Sequence, residues 1–268
     1  EEAAILANMG KGSLVSTVCT ADTRFARTYI MESAPYHGRI LVLNRESARE
    51  STGHGSPMPQ LVHGGPGRAG GGEEMGGMRG VMHYLQRTAI QGTPQDITAI
   101  TGVYQPGAPV REVTQHPFRT FFEDLVVGET LTTHKRSITE SDIIQFANLS
   151  WDHFYAHTDT TSLEGTPFTE RVAHGYLILS AAAGLFVDPG KGPVLLNYGL
   201  EECRFVKPVY AGTTIGVRFT VKEKVDQELR SDEDIPKGIV KFFVEVYDQT
   251  GETVAVATIL TMVRKRGL

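Results

Sequence analysis

The chain has 268 residues, a formal net charge of -5 and an ordinary apolar fraction. That length allows two modest domains or one large one. The negative balance, with only Arg264, Lys265 and Arg266 locally basic, argues against nucleic-acid binding. No apolar run reaches the roughly 18 residues of a membrane span, and Glu1 to Ala4 does not read as a secretory leader. Cys19 and Cys203 form neither a disulfide framework nor a metal spacing, so a soluble cytoplasmic protein is expected.

Glu2 to Asn8 reads as helix, and without an initiating Met the chain is expected to be a piece of a longer one. Leu14 to Thr20 is a β-branched run that predicts a strand, Asp22 to Met31 returns to helical spacing, and Ile40 to Leu43 is a second short strand. This alternation predicts part of an α/β unit. From Ser51 to Gly80 glycine and proline dominate, which reads as loop. Val81 to Ile90 has the spacing of a short amphipathic helix, and Gln91 to Gln115, with its X-Pro pairs, reads as a linker. The boundary is expected near Val113, giving domains 1–112 and 113–268.

The second half is more regular. Thr139 is placed to cap a helix with Asp142 three residues on, and Ile143, Phe146 and Ala147 give its apolar face. A polar loop, Trp151 to Thr169, precedes His174 to Phe186, a segment so apolar that it should be buried on most sides. Five strand candidates follow: Val194–Asn197, Glu202–Phe205, Thr214–Val225, Gly238–Asp248 and Thr253–Arg264. Asp248 to Gly251 signals a hairpin turn. One buried helix followed by antiparallel strands predicts an α+β domain whose sheet curls around the helix.

Two places carry chemistry. Asp152 and His157 lie five apart in WDHFYAHTD. A carboxylate and an imidazole sharing one water can supply both the base and the acid for adding that water to a conjugated double bond. Taken alone, the pair fits a solvated polar loop better than a catalytic pair. His174-Gly175 opens the apolar helix, where unpaired N–H groups at the positive end of the dipole can hold a developing oxyanion. Gly175 would let an acyl chain approach the backbone, but alone it fits a packing glycine better. Gly65 to Gly70 matches GxGxxG, but no strand or βαβ unit frames it and no acidic residue lies between Glu74 and Asp96, so it is read as loop. His54, His63 and His83 have no metal-ligand spacing, and Cys19, within a strand, reads as a buried core thiol. No metal site is expected.

Together these positions resemble the hotdog-fold (R)-specific enoyl-CoA hydratases, the MaoC-like family, over about Phe118 to Arg266. The family pattern is Asp, four residues, His, then His-Gly opening the central helix. The resemblance implies that Asp152 and His157 share the catalytic water, that the Gly175 N–H holds the thioester carbonyl, and that an acyl-CoA is the substrate. His174 and Tyr155 are assigned to substrate binding. Arg204 and Lys207, with Arg218, are candidates by type for the CoA phosphates. The family often has Asn-Pro inside the motif; this chain has His153-Phe154-Tyr155-Ala156, a departure that bears on the acyl group. Hotdog domains usually pair, so a homo-oligomer is expected.

The first half, from Glu1 through Asn44-Arg45 to the Gly64–Gly80 loop, resembles the C-terminal piece of an aldehyde dehydrogenase. Such a dehydrogenase joined to a MaoC-like domain resembles the bifunctional ring-opening enzymes of aerobic phenylacetate degradation. This implies an oxepin-CoA hydrolase whose dehydrogenase half, and the NADP it would use, is incomplete here; no cofactor is expected in this chain. The competing readings are plain 2-enoyl-CoA hydration, a thioesterase, and a non-catalytic assembly module.

Overall fold

The computed structural model describes residues 2–51, 85, 88–229, 231 and 234–266. The chain divides into two compact units, 1–109 and 110–268.

In the first unit, helix α1 (Glu2–Asn8) precedes strand β1 (Ser16–Cys19), helix α2 (Thr23–Ser33), strand β2 (Arg39–Leu43) and the short helix α3 (Ser47–Glu50). Strand β3 (Ala89–Gln91) and helix α4 (Pro94–Thr101) follow. The three strands form a parallel sheet in the order β1-β2-β3, and Val18, Ile30, Ile40, Val42 and Ile100 share its core. Asp22 starts α2 by accepting from the Arg24 and Phe25 amides.

Three expectations for this unit need correction. Ala89 and Ile90 are not helical: they pair with Arg39 and Ile40 in β3, and so short an apolar run fits either period. The remainder of that expected helix lies outside the described residues except for Leu85 and Thr88, and so do the GxGxxG loop and His54, His63 and His83. The stretch read as linker contains α4. Its Pro94 is the first helical residue, Thr93 accepts from the Asp96 amide, and Asp96 returns to the Thr93 amide in a capping box. Cys19 is exposed, because strand alternation turns Val18 to the core and Cys19 away from it.

The second unit holds strands β4 (Arg111–Glu112), β5 (Glu129–Thr132) and β6 (Arg136–Ser137), then helices α5 (Glu140–Ser150), α6 (Tyr155–Thr158) and α7 (Gly175–Phe186). It ends with β7 (Val194–Phe205), β8 (Thr214–Asp226), β9 (Lys237–Tyr247) and β10 (Thr253–Arg264). The sheet order is β4-β5-β8-β9-β10-β7, with β6 pairing β8. All pairings are antiparallel except β4 with β5. This is a hotdog arrangement, a long helix packed on an antiparallel sheet. Thr139 and Asp142 form the expected capping box at α5.

Alternating burial along β8 and β10 puts Val217, Phe219, Ala255 and Ala257 in the core with Ile178, Ala182 and Phe186 of α7. The Phe186 ring stacks on Phe219 at 4.7 Å, and Phe219 on Phe242 at 4.3 Å, tying helix to sheet. The helix is less enclosed than its composition predicts: Tyr176, Ser180 and Gly184 form an exposed ridge at helical spacing. Val194–Asn197 and Glu202–Phe205 are one continuous edge strand rather than two. The pairing of β7 with β10 is interrupted by register shifts, and Glu202 has φ 52°, which disguises the strand's period in sequence.

Candidate active site

The site is built where α5 ends. Trp151 caps that helix in the left-handed region at φ 63°, a conformation uncommon for a bulky side chain, and turns the chain sharply. Asp152 follows. Its amide donates to Ser150 Oγ at 3.3 Å, and its Oδ1 accepts from the Phe154 amide at 3.2 Å, closing an Asx turn. The single turn of α6 then presents His157. That turn is pinned by Ala156, which is buried and whose carbonyl accepts from the Val172 amide at 3.0 Å.

His157 Nδ1 lies 2.6 Å from the Val172 carbonyl oxygen. A carbonyl only accepts, so Nδ1 carries the proton and the neutral ring has its lone pair on Nε2. His174 Nε2 lies 2.9 Å from the backbone oxygen of Asp152 and must likewise donate. The two imidazoles stack, with centroids 3.8 Å apart and planes at 26°. Burial pushes the His174 pKa down by more than the bond to the Asp152 carbonyl raises it, and the neighbouring His157 adds to the lowering, so the neutral ring is favoured.

A carboxylate oxygen of Asp152 and a ring nitrogen of each of His157 and His174 fall within 4.8 Å of one another. By type this is also a possible metal-ligand set. However, His174 Nε2 is spent on the Asp152 carbonyl, and its Nδ1 is sealed from solvent without a partner among the described residues. A water-sized species therefore meets two open acceptors here, Asp152 and His157, which suits proton transfer better than a three-ligand metal site.

Beside His157 lies an open cleft of about 310 Å³, lined mostly by apolar groups including Val172, Gly175, Ile178, Phe205 and Val209. Gly175 is the first residue of α7, where an N–H has no acceptor within the helix. The space a side chain would fill at Gly175 is taken by the Phe205 ring, three of whose atoms lie 2.6–2.8 Å from an ideal Cβ. Asp152 is exposed and stands next to His157 rather than in the cleft lining.

The structure thus places Asp152 beside His157, and His157 with Gly175 in the cleft lining, but Asp152 does not converge on that cleft, contrary to expectation; the other candidates are distributed differently. His174 is 1% exposed and lies beneath the site, out of reach of a substrate, because its ring is enclosed by His157 and Phe146. Tyr155 packs on Phe154 at 4.5 Å and is absent from the cleft lining. Lys207 lines the cleft, but its ammonium is paired with Asp248 and Glu252, so it is not a free phosphate ligand. Arg218 is paired with Glu245 and packs on the Tyr247 ring. Arg204 is exposed and, among the described residues, carries no ion pair. Phe205 was missed by sequence reasoning; the one signal was that a helix-opening glycine requires something pressed against it.

A family model described as MaoC like domain matches residues 123–239. Protein MaoC of Klebsiella aerogenes is 54% identical over 237 residues, covering 88% of this chain and 71% of that protein. The chain belongs to the MaoC-like family. Those 237 residues exceed the length of the 110–268 unit, so the likeness runs into the first unit as well. The (R)-specific enoyl-CoA hydratase of Rhodospirillum rubrum, also similar to this MaoC-like chain, is 36% identical over 111 residues, 40% of this chain and 74% of that enzyme. A crystal structure of a MaoC domain protein from Chloroflexus aurantiacus shares the fold, with TM-score 0.50 and 24% identity over 58% of this chain and 43% of that one. A shorter likeness, 38% over 65 residues, links 24% of the chain to 13% of the 3,4-dehydroadipyl-CoA semialdehyde dehydrogenase of Aromatoleum evansii. Among the described residues no helix is long and apolar enough to cross a membrane.

Proposed function

We propose that the 110–268 unit adds water to a double bond conjugated with the carbonyl of an acyl-CoA thioester. The observation that carries this reading is the convergence of the Asp152 carboxylate and His157 beside a cleft that Gly175 lines. His157 Nε2, with its lone pair exposed by the Nδ1–H bond to Val172, and the Asp152 carboxylate hold one water. As the water oxygen bonds the β carbon, its proton passes to this pair, and electron density moves to the thioester oxygen against the Gly175 N–H. The proton then returns to the α carbon, so the thioester stays intact and one water is consumed. Arg204 remains available to the CoA phosphates, and a second copy of the chain is expected to cover the exposed Asp152 side of the site.

The substrate class we propose is a cyclic enol ether conjugated with the thioester, as in an oxepin-CoA. Water bonds the β carbon, which also carries the ring oxygen; the bond from that carbon to the ring oxygen breaks, that carbon becomes a ketone, and the ring oxygen leaves as an enol that becomes the aldehyde. No electrons are exchanged. Two observations support this substrate class: the parallel α/β order of the first unit and the likeness of 24% of the chain to a CoA-semialdehyde dehydrogenase both fit an aldehyde-handling partner domain. The 1–109 unit by itself supplies no dehydrogenase activity in this reading. The relative named an (R)-specific enoyl-CoA hydratase favours linear 2-enoyl-CoA as the second reading. The test offers the purified chain oxepin-CoA and crotonyl-CoA side by side and follows loss of the conjugated chromophore, with NADP present. Higher kcat/KM on the cyclic substrate and no NADPH are expected. Preference for crotonyl-CoA would select the second reading, and turnover of neither would refute both.

A further inference from the structure

Asp152 is placed by a loop with few anchors. Its own bonds are to Ser150 and Phe154, both within two residues of it, and its side chain is exposed. The hydrogen bond that ties it to the body of the domain comes from 22 residues away, from His174 Nε2 to the Asp152 carbonyl at 2.9 Å. The same His174 ring lies flat against His157 at 3.8 Å, with Phe146 on it at 5.1 Å. One buried side chain therefore touches both members of the pair that faces water, and it touches them by different means, a donor on one and a flat face on the other.

We infer that His174 is a positioning residue of the reaction, setting the distance between the Asp152 carboxylate and the His157 imidazole without itself meeting substrate. Phe has the face without the donor, Gln has the donor without the face, and a charged side chain would be buried without a counter-ion. His174 does both while uncharged. Its Nδ1, sealed and without a partner among the described residues, marks a site where the donor at Nε2 is kept even though the other nitrogen gains nothing. Misplacing reacting groups by about 1 Å can cost about 10²-fold in rate, whereas a ring serving only to fill space should affect stability alone.

The inference rests on the hydratase reading above, and its test separates the two. His174→Phe and His174→Gln are compared with Asp152→Asn and wild type for kcat, KM and melting temperature on crotonyl-CoA or oxepin-CoA, whichever wild type turns over. Expected are folded His174 variants with kcat lowered about 10²-fold for Phe and less for Gln, and KM nearly unchanged. Nitrogen NMR of wild type should find His174 neutral with its proton on Nε2, a readout that needs no variant to fold. Wild-type kcat in folded His174→Phe, a loss confined to KM, or the proton on Nδ1 would overturn the inference. Full activity in Asp152→Asn would instead overturn the hydratase reading.

Discussion

Replacing Gly175 by alanine builds a methyl group 2.6–2.8 Å from Cε2, Cζ and Cδ2 of Phe205, distances that real Cβ atoms do not tolerate. The backbone at Gly175 is not in the left-handed region, so the strain is purely one of space. Phe205 is 47% exposed at the end of an edge strand, and its ring can swing outward. The expected stability cost is therefore modest, about 1–3 kcal/mol, as for other overpacked sites. The expected catalytic cost is larger. The methyl group enters the cleft beside the N–H that is to hold the thioester oxygen, and loss of one such donor lowers kcat by about 10²–10³-fold. Removing the ring separates the two effects. Gly175→Ala combined with Phe205→Ala should recover the lost stability if the clash is its cause, a coupling that a double-mutant cycle in urea measures. It should not recover kcat if the methyl group itself blocks the oxyanion position. Wild-type kcat in Gly175→Ala would refute the placement of the thioester oxygen at this helix start.

Thr139→Ala removes the hydroxyl that accepts from the Asp142 amide and should cost about 0.5–2 kcal/mol by urea unfolding, with little change in KM. Lys207 and the Thr250 hydroxyl hold the Asp248 carboxylate well below the usual carboxylate range. Its folded-state value is depressed, so its stabilisation is present above about pH 4 and is lost as pH falls below that. Melting temperatures measured down to about pH 3 should fall less steeply for Asp248→Asn than for wild type. Freeing Lys207 takes Asp248→Asn together with Glu252→Gln, which should strengthen CoA binding if the phosphates approach this side of the cleft; unchanged affinity would remove Lys207 from consideration.

The long regular elements were legible because their periods are unambiguous. The strand predicted over Thr253–Arg264 is β10 residue for residue, and the Thr139–Asp142 cap is where its spacing puts it. Legibility failed where tertiary pairing overrides local pattern. Ala89 and Ile90 join a strand only because β2 offers its edge, and Glu202 at positive φ with the shifts along β10 hides one long strand as two short ones. Thr93-Pro94 reads as linker in sequence because a proline pair signals a turn, although Asp96 three residues beyond Thr93 also completes a helix start. At the site, the types and spacing of Asp152, His157 and Gly175 are legible, but not that the His174 ring lies outside the cleft and bonds the Asp152 carbonyl. A helix-opening histidine looks the same in sequence whether its ring faces the cleft or supports the loop beneath it. Ion pairing of Lys207 and Arg218 was likewise invisible, since their partners come from other strands or from the turn between two of them.

The central claim is that Asp152 and His157 add water across a conjugated acyl-CoA and leave the thioester whole. Mass spectrometry of the reaction run in heavy-oxygen water tests it most directly. The account predicts that wild type places one heavy oxygen on the acyl portion of a product that still carries CoA, and that Asp152→Asn gives at least about 10²-fold less of it. Free CoA with the heavy oxygen in a released carboxylate, or equal product from the two proteins, would contradict it.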